Sequence, residues 1–473
     1  MIFRVTGEAV TGERARPVQT LIWYPARTSA SKPLSYQDYV RLAATEENFG
    51  RGQAEIEAIT AVLVRGWYET EAGPAQARTE LAGVMRARRD AAPAPGKFPV
   101  VIYAPSFGAS PAENVDLCEY LASQGYLVIA SPSMGLRSRG MTDDLEGIET
   151  QAADIAFLIS YAHTLPQADV RKFAVAGFSW GGIANVFAAA KDNRIKALVN
   201  LDGSVRYFPE LVTAAKYVTP TSVSAPMLFV AARPQSLEQI AARGKPVASF
   251  LNEMKYADFY KLTMHPMEHF AFSSEALRFM SEAAFTPYSR ADVNRAYGWT
   301  VTYVHRFLDA YLKDDQAAKQ FLAAPPAKNG IPAYMAALEV RLKNARPPSR
   351  ETLAMELAQR GFEHAHEAYK AMRGRDAKFE LKETELNSWG YSLLRSHRTR
   401  SAIEIFKLAT VLYPDSANTY DSLGEAYAED NDKPRAIENY RRSLQLNPEN
   451  RNAARRLDAL GAPAELKTAQ KAG

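Results

Sequence analysis

An apolar run, Lys172-Phe173-Ala174-Val175-Ala176, ends in Gly177-Phe178-Ser179-Trp180-Gly181-Gly182, and a helix-like stretch, Ile183 to Lys191, follows at once. Strand, turn and helix must share one tight backbone path, with a serine at its apex and glycine two positions to either side. Such a turn strains the serine, and side chains at the flanking positions would collide with neighbouring chain. Glycine removes those collisions and lets the hydroxyl project above a sheet. The strand before and the helix after argue against a chance glycine-rich turn, so the pattern predicts that Ser179 is a nucleophile.

At 473 residues the chain is too long for one ordinary domain and can hold a full-sized core plus a second unit. Its apolar fraction of 47% and charged fraction of 23% are those of a soluble globular protein. A net charge of +4, without a long basic run, speaks against nucleic-acid or anionic-membrane binding. Cys118 is the single cysteine, which excludes an intramolecular disulfide and a cysteine-rich zinc site; its helical setting predicts a small buried residue. No apolar stretch reaches membrane-spanning length. The opening Met1-Ile2-Phe3-Arg4-Val5 reads as a strand and carries no signal peptide. As written the chain is expected in the cytoplasm, or in the periplasm or outside if a leader was removed.

Short apolar runs alternate with helical patterns as far as about Leu312. The runs are 18–24, 98–103, 126–130, 172–176, 195–201, 227–231 and 259–264; helix candidates are 112–124, 148–164, 183–191 and 237–254. Strands that are apolar throughout and separated by helices predict a parallel sheet covered on both faces. Residues 35–95 interrupt this order without an evident strand, and the spacing in Gln53 to Leu63 predicts inserted helices. They would form either a lid over the site or a buttress at the sheet edge. The catalytic domain is thus expected over residues 1–322.

Past Leu322, prolines at 325, 326, 332, 347 and 348 predict a linker, residues 323–348, that no longer belongs to the sheet. Beyond it the chain repeats itself. Trp389-Gly390-Tyr391, Ala402, Phe406 and Pro414 recur thirty-four residues later as Leu423-Gly424-Glu425, Ala436, Tyr440 and Pro448. The pattern resembles tetratricopeptide repeats, with small residues where paired helices touch and proline closing each unit. Two copies are clear, about 384–450, and residues 349–473 are expected to form the whole helical domain, with 349–382 as a degenerate or capping pair.

A serine hydroxyl needs a histidine base, and the base needs a carboxylate. In a strand–elbow–helix fold the chain order is serine, acid, histidine. Among the seven histidines, His364, His366 and His397 lie in or beside the repeats, His163 precedes the serine, and His305 sits in a helix-like run, Trp299–Leu312. His265 and His269 remain, both on the loop after the last run of the sheet. The loop after the run 227–231, the usual place for the acid, reads Ala231-Ala232-Arg233-Pro234-Gln235 and holds no carboxylate; Glu238 falls in the next helix candidate. The preceding run ends Asn200-Leu201-Asp202, which puts Asp202 at a strand's C-terminal end, where open α/β sheets place reactive groups.

The segment around Ser179, the Leu201-Asp202 ending and the loop His269-Phe270-Ala271-Phe272 together look like the platelet-activating-factor acetylhydrolase and dienelactone-hydrolase-like branch of α/β-hydrolases. The resemblance covers roughly Val18 to Leu312. It implies an α/β-hydrolase fold, a mostly parallel doubly wound sheet, here with inserted N-terminal helices and an all-α tetratricopeptide-like C-terminal domain. It also implies a triad of Ser179, Asp202 and His269, the histidine trailed by a phenylalanine three residues on, with His265 as runner-up. Dienelactone hydrolases proper use cysteine where this chain has Ser179. Relatives often carry His-Gly-x-Gly in the first oxyanion loop. This chain has Pro105-Ser106-Phe107-Gly108, which places the backbone donors at Phe107 and Trp180 and leaves a hydroxyl contribution from Ser106 open.

Aromatic residues expected on catalytic-end loops, Phe107, Phe178, Trp180, Tyr207, Phe208 and Phe270, are expected to line the substrate pocket together with Ser106, and suit an apolar, uncharged ester. Arg137 and Arg139 read as solvated surface residues rather than an anion site, and Glu268 as solvated. No motif calls for a cofactor or a metal. The reading is therefore a serine carboxylic-ester hydrolase, with thioester or amide hydrolysis within the same chemistry. The rival is an inactive hydrolase-like scaffold whose helical repeats bind a protein or peptide partner.

Overall fold

The computed structural model describes residues 18–234, 250–345 and 347–462. The expected strand at Met1–Val5, Glu238 and most of the helix candidate 237–254 lie outside them; of the latter, Phe250–Glu253 is a short helix. The chain divides into two compact units, Met1–Ala345 and Arg346–Gly473.

The first unit is built on an eight-stranded sheet of order β1-β3-β2-β4-β5-β6-β7-β8. Its strands are β1 (Leu21–Trp23), β2 (Phe98–Ala104), β3 (Leu127–Ala130), β4 (Ala168–Phe178), β5 (Ile195–Leu201), β6 (Met227–Ala231), β7 (Phe259–Met264) and β8 (Ala336–Arg341). From β3 across to β7 every neighbouring pair is parallel, whereas β1 and β8 pair antiparallel at the edges. The central stretches of the inner strands, residues 100–104, Leu127–Ala130, 173–178 and Met227–Ala231, are apolar because both faces are covered. Along β2, Val101 and Tyr103 belong to one core and Val100, Ile102 and Ala104 to the other. Along β4, Ala174, Ala176 and Phe178 alternate in the same way with Phe173 and Val175. Each such valine or isoleucine stabilises the fold by about 2 kcal/mol through burial.

β8 corrects the sequence reading of residues 323–348. That segment does leave a helix at Ala323 and turn through prolines, yet it returns to pair with β7 from Phe259↔Arg341 to Met264↔Ala336. An edge strand needs one covered side only, so Ala336 is buried while Glu339 and Val340 are exposed, and the run never reads as apolar.

The insertion consists mainly of α1 (Tyr36–Ala43), α2 (Gln53–Leu63), which runs on into a π-turn at Val64–Tyr68, and α3 (Pro74–Leu81). Four further helices frame the sheet: α4 (Val115–Ser123), α5 (Leu145–Ala162), α6 (Trp180–Lys191) and α8 (Arg290–Leu312), with the short α7 (Ser274–Phe279) between the last two. The insertion is tied to β1, α4 and α7. Trp23 Nε1 donates to Tyr39 Oη (2.9 Å), whose hydroxyl donates to Glu119 on α4 (2.6 Å). Tyr36 and Tyr68 pack on Phe279 of α7, and Arg278 reaches both Glu80 and Asp116. Cys118 is buried in α4. Helix α8 starts at Arg290, after the N-cap Ser289 and nine residues before Trp299, because only Val293 and Ala296 of those nine are buried.

The second unit is helical: α9 (Arg350–Arg360), α10 (Ala365–Arg375), α11 (Glu383–Arg395), α12 (Thr399–Leu412), α13 (Ala417–Glu429), α14 (Lys433–Leu446) and α15 (Arg451–Ala459). A Cβ on Gly390 would enter the Phe406 ring, and one on Gly424 would press on the Tyr440 ring. The same contact thus recurs after thirty-four residues and lets α11 approach α12 and α13 approach α14 closely. Side chains also bond at about this spacing: Tyr391 donates to Glu425 (2.8 Å), Ser422 to Asn387 (2.8 Å) and Asn452 to Asp421 (2.9 Å). Among the described residues no helix is long and apolar enough to cross a membrane.

Candidate active site

Sheet register brings the first two side chains together. Phe178 of β4 lies opposite Leu201 of β5, so Ser179 and Asp202 are each the first residue beyond paired ends of adjacent strands. Ser179 has φ 52° and ψ −114°, a conformation that costs about 1–3 kcal/mol for a residue with a Cβ. The surroundings hold it there: its N–H donates to Leu201 O (3.1 Å), and its carbonyl accepts from the N–H groups of Gly182 (2.9 Å) and Ser204 (2.8 Å). The glycines are needed for space. A Cβ on Gly177 would strike the Gly181 carbonyl, and one on Gly181 would strike that of Ala104.

His269 begins a one-turn 3-10 helix, His269–Phe272, five residues beyond the end of β7. Its Nε2 stands 2.8 Å from Ser179 Oγ and its Nδ1 2.7 Å from Asp202 Oδ2. The ring packs on Phe178 below and edge-on against Tyr207, with centroids 5.2 and 6.1 Å away. The imidazole is about half exposed while Asp202 is fully buried. Burial pushes the Asp202 carboxyl up, but the hydrogen bond with His269, the Arg206 guanidinium and the Ala232 N–H outweigh it and hold the group below the usual carboxylate range. Asp202 is therefore ionised at neutral pH. Its Oδ1 accepts from Ala232 N–H (3.1 Å) and faces Arg206 (3.7 Å); its Oδ2 also accepts from Tyr207 Oη (3.2 Å). The carboxylate-free loop after β6 thus contributes a backbone donor to the acid.

His265 is placed elsewhere. Its N–H donates to Met335 O (2.9 Å) beside β8, and no hydrogen bond joins its ring to Ser179 or Asp202 among the described residues. Glu268 pairs with Arg233. Arg139 corrects its reading as a solvated residue: it donates to Ser133 O (3.0 Å) and pairs with the buried Glu46 of the insertion (2.9 Å). Arg137 is exposed.

Trp180 is the first residue of α6, so its N–H has no acceptor within the helix. Phe107 sits in the turn after β2, where Gly108 takes φ 64° and Ala109 N–H closes onto Ser106 O (3.1 Å). Phe107, 46% exposed, meets the Trp180 indole edge-on at 5.4 Å, and Trp180 meets Phe208 at 5.5 Å, forming one aromatic wall. Phe178 and Tyr207 flank the imidazole instead. Phe270 turns to Phe285 at 5.8 Å and packs on the core, and Ser106 turns its hydroxyl to Glu113 (2.5 Å). Both had been expected in the substrate pocket; neither joins the Phe107–Trp180–Phe208 wall in the ring contacts or hydrogen bonds of the described residues. Glu113, Arg206 and the Ala232 N–H escape a reading of the sequence because no local pattern marks a charge or a donor that acts only across the fold. Among the described residues no group of three or more histidines, cysteines or carboxylates is placed to hold a metal ion.

Residues 84–297, a stretch that contains Ser179, Asp202 and His269, match the sequence model of the dienelactone hydrolase family. A putative carboxymethylenebutenolidase of Yersinia pestis is 33% identical over 116 residues, 22% of this chain; the match spans 43% of that relative's length. A ferulic acid esterase from Streptomyces cinnamoneus has 21% identity and a TM-score of 0.46, covering 65% of this chain and 86% of its own. The first unit has an α/β-hydrolase-like fold with a mostly parallel sheet, and its stretch from 84 to 297 is similar to the dienelactone hydrolases.

Proposed function

We propose that the chain hydrolyses carboxylic esters through an acyl-enzyme formed on Ser179. The observation that carries this reading is the unbroken chain of hydrogen-bonding groups from Ser179 Oγ through His269 to the ionised Asp202. His269 takes the serine proton as Oγ attacks the ester carbonyl, and Asp202 orients the imidazole and stabilises its cationic form. The Phe107 and Trp180 N–H groups bind the oxyanion, a contribution of about 3 kcal/mol for each donor. His269 then protonates the leaving alcohol, and water deacylates the serine by the same route in reverse. The match to dienelactone hydrolases supports an ester substrate. The Phe107–Trp180–Phe208 wall favours an apolar, uncharged one.

The second unit is proposed to be a tetratricopeptide-like array that binds a protein or peptide; the recurrence of the glycine–aromatic contact supports the repeat. The test of the enzyme reading is a fluorophosphonate probe with p-nitrophenyl esters of graded chain length. Wild type should label and turn over, whereas Ser179→Ala should do neither. A folded wild type that neither labels nor hydrolyses would leave the scaffold reading in its place.

A further inference from the structure

Beneath the turn that carries Phe107 lies a carboxylate that the proposed mechanism does not use. Glu113 is 4% exposed and sits on a one-turn 3-10 helix, Pro111–Asn114. Its Oε1 accepts from the Ser106 N–H (2.8 Å) and the Tyr103 hydroxyl (2.7 Å), and its Oε2 from the Ser106 hydroxyl (2.5 Å). The Ser106 carbonyl is taken in turn by Ala109 N–H (3.1 Å). Every polar group of Ser106 is therefore engaged, and so the plane of the next peptide, the one bearing the Phe107 N–H, is fixed.

The same short helix also holds the loop of the base. The Glu113 carbonyl accepts from the Ser273 and Ser274 hydroxyls (2.9 and 3.3 Å). The Asn114 side chain donates to Phe272 O (2.8 Å) and accepts from Ser274 N–H (3.1 Å) and the Tyr297 hydroxyl (2.7 Å). Phe272 closes the 3-10 turn that His269 begins. Two adjacent residues thus tie the oxyanion loop to the histidine loop, about 160 positions apart. Burial pushes the Glu113 carboxyl up to about 7, and three donors, two of them from Ser106, hold it against a further rise.

We infer that Glu113 is a positioning residue for the oxyanion hole, holding Ser106 so that the Phe107 N–H points to the ester oxygen at Ser179. The inference rests on the ester-hydrolase reading. It is tested by measuring kcat and KM on p-nitrophenyl butyrate, fluorophosphonate labelling and thermal unfolding for wild type, Glu113→Ala, Glu113→Asp and Glu113→Gln. A misaimed oxyanion donor lowers kcat on the order of 100-fold. Glu113→Ala should show a loss of that order with KM within about two-fold, because the ground-state ester does not depend on the donor. Glu113→Asp withdraws the carboxylate by one methylene and should lose about ten-fold in kcat, a fraction of the full donor effect. Glu113→Gln keeps an acceptor for the Ser106 N–H and a donor for its hydroxyl, and should recover most of the loss. Should the alanine variant fail to fold, the aspartate and glutamine pair decides. Unchanged kcat in folded Glu113→Ala or Glu113→Asp overturns the inference. So does a loss that Glu113→Gln does not recover and that follows a fall in melting temperature. An active wild type with active variants overturns the positioning role alone, whereas an inert wild type overturns the hydrolase reading with it.

Discussion

At the scale of single residues, His269, which meets both Ser179 and Asp202, and the rival His265 separate cleanly. His269→Ala should lower kcat by at least about 1000-fold, while His265→Ala should keep activity within about three-fold, read from p-nitrophenyl ester turnover. The opposite result would move the base to His265. Asp202→Asn should cost about as much as removing the base, because an amide at 2.7 Å from Nδ1 favours the wrong tautomer and leaves no negative charge for the imidazolium. Gly181→Ala sets a methyl against the Ala104 carbonyl, and is expected to destabilise the fold by about 2 kcal/mol or more, seen in urea unfolding. Such glycines are legible in a sequence because their requirement is local: strand, turn and helix are neighbours in the chain. Glu113 is not. Its carboxylate serves Ser106 seven residues back, and its carbonyl meets Ser273 at a separation of 160. Nothing within a short window distinguishes it from a helix-start glutamate.

At the scale of elements, α8 is fastened across the back of the sheet by one carboxylate. Asp309 receives the Tyr126 hydroxyl (2.7 Å) and pairs with His305 (3.0 Å) and Lys313 (2.9 Å). Burial pushes its carboxyl up, but hydrogen bonds from His305, Lys313 and Tyr126 outweigh this and hold it well below the ordinary carboxylate value. A group depressed on folding adds stability that is whole above the unfolded value, about pH 4, and fades as pH falls toward the folded one. Asp309→Asn should therefore cost about 2–3 kcal/mol at pH 7 and progressively less below about pH 4. Urea titrations at pH 7 and pH 3.5 read the difference, and an equal loss at both would refute it. The inner strands were open to sequence reading because burial on both faces leaves continuous apolar runs, as in residues 173–178 of β4 and 197–199 of β5. The edges were not. β1 has three residues, and β8 buries Ala336 alone after a run of prolines, so neither carries the same signature.

At the scale of the whole molecule, β8 decides where the first unit ends. A chain stopped after Ala345 keeps the full sheet and the Asn344 N–H bond to Lys255 O (2.7 Å), and should hydrolyse small esters at the full-length rate. A chain stopped after Leu322 bares the whole edge of β7 and should melt lower or aggregate, measured by thermal unfolding and light scattering. Equal behaviour of the two would show that β8 is dispensable. The division of labour across the sheet has one more consequence. With Asp202 at the tip of β5 as the proposed acid, the described part of the turn after β6 meets it through the Ala232 N–H. The Arg233 side chain, paired with Glu268, thereby stands outside the proposed proton relay. In an evolving lineage, or in a library built at the bench, that side chain can change while the chemistry at Ser179 stays as it is.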